Sequence, residues 1–153
     1  MTYEGDISTP QGHFAIVAAR FNAVVVDRLV DGALGGLKRH GVPEANIDIV
    51  HVPGSYEIPL IAQKLGNSGK YAAIICLGAV IRGDTDHYDY VAGAAANGVA
   101  NAALNTGVPT IFGILTCDTM EQAVNRAGGK AGNKGFEAAV AAIEMANLLK
   151  KLG

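Results

Sequence analysis

The stretch IRGDTDHYDYV at residues 81–91 follows AAIICLGAV at 72–80. One arginine, three aspartates and one histidine therefore crowd in behind one of the most apolar runs in the chain. Imidazole titrates near neutral pH, which suits His87 to moving protons. Gly83 lets the backbone come close to a ligand. The amides of Asp84, Thr85 and Asp86 stand at a helix start, where anions are held. Capping of that helix by Thr85 or Asp86 accounts for the same residues structurally and is compatible with anion binding. Asp84, Asp86, His87 and Asp89 also raise the question of a metal. Their spacing fits neither an EF-hand loop nor a zinc motif, so that reading is set aside.

Three further polar clusters follow apolar runs: Arg20-Phe21-Asn22, Gly54-Ser55-Tyr56-Glu57 and Thr116-Cys117-Asp118. An aromatic at a strand end is ordinarily core, yet Phe21 lies between two polar residues and could stack on a flat heterocycle. Tyr56 admits the same two uses. Glu57 opens a helix, where it either complements the dipole or accepts bonds from ligand hydroxyls or amines. In NRAGGKAGNKG (125–135), Arg126 ends a helix, an ordinary place for a cation. Lys134 begins one, where the dipole repels it. This glycine-rich turn, with Arg126, Lys130 and Lys134, could close over a phosphate or simply be solvated surface.

The elements that must place these residues alternate in type. HFAIVAA (13–19), DIVHV (48–52), AAIICLGAV (72–80) and PTIFGIL (109–115) are short apolar runs, as strands covered on both faces produce. Between them lie helical patterns. Val26, Leu29, Val30, Ala33 and Leu37 recur at helical spacing before Gly41, a short helix runs to about Leu65, and residues 88–105 form an alanine-rich helix. One terminal helix starts near Asp118-Thr119. The other starts near Asn133, with Phe136, Val140, Ile143, Ala146 and Leu149 as its predicted stripe. TYEGDI at the N-terminus could add a strand that has no local partner. Strands alternating with helices predict a flavodoxin-like three-layer α/β/α sandwich on a four-stranded parallel sheet, one domain over 1–153. Ligands of such sheets sit beyond the carboxyl ends of the strands, where all four polar clusters fall.

Composition narrows the function. Charged residues are 17% of the chain, below the ordinary share of about 25%, which points to faces covered by other subunits. A net charge of −2 with no basic run argues against nucleic acid. Neither a signal peptide nor a membrane span is expected. Cys76 and Cys117 lie far apart outside any CxxC spacing, as small core residues of a cytoplasmic protein would.

These motifs resemble the lumazine synthase family. The matching residues are ARFN (19–22), VPGSYEIP (52–59), GAVIRGDTDHYDYV (78–91), FGILTCDTMEQA (112–123) and RAGGKAGNKG (126–135), in order, within a likeness from about residue 3 to 150. The resemblance implies condensation of 5-amino-6-(D-ribitylamino)uracil with 3,4-dihydroxy-2-butanone 4-phosphate to 6,7-dimethyl-8-ribityllumazine, phosphate and water, without a cofactor. It implies that Phe21, with Tyr56, stacks on the pyrimidine, and that Ser55, Tyr56 and Glu57 bind the ribityl chain and ring beside Asn22. Ala79, Val80 and Ile81 would line the pyrimidine through backbone groups. Asp84 and Thr85 would offer amides to the phosphate, with Arg126 as its main cation, and His87 would transfer protons. Phe112, Arg126 and Lys134 would come from the adjacent subunit of a homopentamer, with TYEGDI pairing to a neighbour's sheet edge. The compact 127–135 turn lacks the insertion of pentamer-only forms, which points to a 60-subunit icosahedral shell. A flavin- or lumazine-binding protein without chemistry, or a shell protein alone, would not need His87, Arg126 and Lys134 together.

Overall fold

The computed structural model describes Met1–Gly153. Four parallel strands, β1 (His13–Ala19), β2 (Ile47–Val52), β3 (Tyr71–Ile81) and β4 (Thr110–Cys117), form one sheet in the order β2-β1-β3-β4. Their connections are helices α1 (Ala23–Arg39), α2 (Ile58–Asn67) and α3 (His87–Thr106). After β4 come α4 (Met120–Arg126), a small antiparallel pair β5 (Ala127–Gly129) and β6 (Gly132–Asn133), and α5 (Lys134–Leu152). This is the flavodoxin-like α/β sandwich expected from the alternating pattern.

Strand alternation builds two cores from one sheet. Phe14, Ile16, Ile75 and Leu77 face the layer of α1 and α5, while Ala15, Val17, Ile74 and Cys76 face that of α2 and α3. Both central strands are therefore apolar at nearly every position, which is why they read as continuous runs. Cys76 is fully buried, and burial pushes its thiol up to about 12, leaving it neutral and inert at physiological pH.

One expectation needs correction. The stripe on α5 is rotated: its buried face is Ala138, Ala139, Ala142, Ile143 and Ala146, whereas Leu149 is exposed and Val140 only half-buried. The cause is close approach to α1, which admits only small side chains. A methyl at Gly36 would sit 2.9 Å from the Ala139 Cβ, and one at Gly135 would overlap the Leu29 carbonyl. Overpacking of this kind typically costs about 1–3 kcal/mol, so Gly135→Ala should lower the urea midpoint at unchanged slope. A midpoint equal to the parent's would refute the tight seam. TYEGDI forms no strand within the protomer, where it has no sheet edge to pair with. The segment lies along α5, where the Asp6 carbonyl accepts from Asn147 at 2.7 Å and that of Glu4 accepts from Lys151 at 2.7 Å.

Candidate active site

Beyond the carboxyl ends of β1, β2 and β3 lies a cleft of about 710 Å³. Its floor is Ala79 and Val80, the nearly buried end of β3. Phe21 and Tyr56 stand at its walls with 62% and 61% of their surface exposed, so neither is a core aromatic.

Local backbone chemistry fixes these walls. Arg20 and Phe21 extend the β1–β2 ladder past the strand ends, donating to the carbonyls of Val52 at 2.8 Å and Pro53 at 3.0 Å. Asn22 then turns left-handed (φ 63°, ψ 43°), the only non-glycine residue with positive φ, and leads into α1. Its amide Nδ2 donates to the Ala79 carbonyl at 2.8 Å, tying the exit of β1 to that of β3. The short 3₁₀ turn Ser55–Glu57 presents Tyr56 and Glu57 to the cleft. Ser55 is buried against Gly78, where any Cβ would collide with its hydroxyl.

His87 is the first residue of α3 and lines the same cleft. Its backbone amide donates to Thr85 Oγ1 at 3.3 Å, so Thr85 supports the helix start, while Asp86 makes no side-chain cap. Asp84, Thr85 and Asp86 occupy the exposed turn before it. No group of three or more His, Cys, Asp or Glu side chains is placed to hold a metal.

The fold thus gathers Phe21, Asn22, Ser55, Tyr56, Glu57, Ala79, Val80, Ile81 and His87 around one cavity. Asp84, Thr85, Phe112, Arg126 and Lys134 do not line it. Phe112 pairs with Cys76 and sits five residues before the end of β4, roughly 16 Å back along the strand at about 3.3 Å per residue. Arg126 is exposed at the end of α4, and Lys134 opens α5. Pro53 and Gly54 also line it, and sequence reasoning missed Tyr88, Tyr90, Val91 and Met120, which complete the lining. Helical spacing carried the signal for two of them, because Tyr90 and Val91 lie three and four positions after His87.

A model of the 6,7-dimethyl-8-ribityllumazine synthase family matches residues 11–150. The chain belongs to this family. Lumazine synthase is a transferase of riboflavin biosynthesis, and the match spans every strand and nearly all of the last helix. No helix is long and apolar enough to cross a membrane. Cys117 ends β4, buried near Arg126. Burial raises its thiol pKa, and the Arg126 guanidinium works in the opposite direction.

Proposed function

We propose that the cleft holds the ribitylaminouracil of the lumazine synthase reaction, and that the turn 83–86 with Arg126 holds the butanone phosphate. The observation that carries this reading is the pair of exposed rings, Phe21 and Tyr56, standing over a strand-end floor beside His87. Glu57 and Ser55 bind the ribityl chain in this reading, and the backbone of Ala79, Val80 and Ile81 meets the pyrimidine edge, all five being residues that line the cleft. Asp84 and Thr85 offer amides to the phosphate. The amine attacks the ketone, a Schiff base forms with loss of water, phosphate leaves, and the ring closes with further loss of water. Both substrates are intrinsically reactive, so holding them side by side supplies much of the acceleration. His87 moves protons between the steps.

Phe112, Arg126 and Lys134 serve the cleft of an adjoining protomer in a homopentameric ring. Their position outside their own protomer's cleft supports this, as do exposed apolar side chains elsewhere. Leu104 is 82% exposed on α3, which bears no charge after Asp89. The Met1–Asp6 segment adds to a neighbour's sheet edge, and twelve rings close into the icosahedral shell. Two unpaired cysteines suit the cytoplasm. Purified protein given both substrates should form the lumazine chromophore, and its mass in solution should be that of sixty protomers. A monomeric mass with full turnover would overturn the shared site.

A further inference from the structure

Arg82 is the arginine of the charged stretch, yet it is absent from the cleft lining. Its backbone amide extends the β3–β4 ladder by one bond, to the Cys117 carbonyl at 2.9 Å. Its guanidinium then reaches three groups, two on α3 and one in the β4–α4 connection. Nε donates to Asp118 at 3.0 Å, Nη1 pairs with Asp89 at 3.6 Å, and the fork lies 4.3 Å from the centre of the Tyr88 ring. The neighbouring carboxylates, Asp118 first, raise its pKa further.

The connection continues beyond Asp118. The Asp118 amide donates to Gln122 Oε1 at 2.8 Å, and the Gln122 carbonyl accepts from Arg126 Nη1 at 3.5 Å. One guanidinium is thereby linked to the first turn of α3 on one side and to the start of α4 on the other. The anion turn 83–86 leaves directly from Arg82 and ends at His87.

We infer that Arg82 is a positioning residue that sets the 83–86 turn and the Arg126-bearing helix α4 in fixed relation, and that it does not itself bind substrate. The inference rests on the phosphate reading proposed above. Both carboxylate partners and the ring face occupy the fork, and a lysine could not engage all three at once. Each contact is half-exposed and adds little stability alone, so the role is placement. Because Arg126 serves the adjoining cleft, each Arg82 would stand between two phosphate sites of the ring.

Arg82→Gln and Asp118→Ala test this, with inorganic phosphate as a competitive probe. Each variant should raise the KM for the butanone phosphate and weaken phosphate inhibition by about tenfold, with the pyrimidine KM within about twofold. The double variant should be no worse than either single one, as expected of two ends of one contact. Asp118→Ala carries the test should Arg82→Gln fail to fold, judged by thermal unfolding. A phosphate-substrate KM within twofold of the parent, or equal rises in both KM values, would overturn the positioning role. Arg126→Ala separates the failures. If it raises the phosphate-substrate KM while Arg82→Gln does not, only the positioning role falls. If neither does, the phosphate reading falls as well.

Discussion

His87→Ala should lower kcat by about 10²-fold, the low end of the range for general acid–base catalysis, and leave both KM values within about threefold. The low end is expected for two reasons. Orientation of two reactive substrates survives the substitution. His87 is also exposed at the first turn of α3, so water can partly replace its proton transfer. His87 lines the cleft with the proposed pyrimidine walls and directly follows the 83–86 turn, where the proposed mechanism brings amine and ketone together. Steady-state kinetics with each substrate varied in turn decide the matter. Undiminished kcat would remove His87 from the mechanism, and a large rise in pyrimidine KM would make it a binding residue instead.

Arg126→Ala should raise the KM for the butanone phosphate by about 10- to 150-fold, matching the roughly 1.5–3 kcal/mol of a hydrogen bond to a charged group. The pyrimidine KM should hardly change. Arg126 makes no ion pair within the protomer, and its guanidinium is engaged only by a long bond to the Gln122 carbonyl and by the neutral Cys117 thiol beside it. Its fork is therefore free to grip a phosphate in two places. By contrast, Arg82 is already held by two aspartates, which is why it is not offered as the phosphate cation. An unchanged KM for the phosphorylated substrate would remove Arg126 from that role.

The four strands and their helices were legible because buried parallel strands leave little freedom: Phe14–Ala19 and Ala73–Val80 must be apolar on both faces. Gly41, left-handed at φ 100°, and Thr119, which accepts from the Gln122 amide, ended or began helices as their types foretold. Legibility failed where tertiary distance sets the rule. The face of α5 is chosen by how close α1 comes, which no periodicity reveals, and alanines replace the large residues on it. In the cleft, the polar strand exits stood out in the sequence because charge is scarce elsewhere. Tyr88 and Met120 did not stand out, since a tyrosine or methionine at a helix start looks the same whether it lines a cavity or covers a core. Arg82 was plain as a charge, but its partner Asp118 lies 36 positions away and only the β3–β4 pairing unites them.

Position 22 shows how narrow a choice the fold can impose. Glycine there would keep the unusual winding and lose the latch. Aspartate would keep the winding and face oxygen toward oxygen. Alanine would forfeit both. Asparagine alone satisfies the twist and the tether together, so the aromatic ring before it is aimed from behind, by a side chain whose donor is already committed to the protein's own frame.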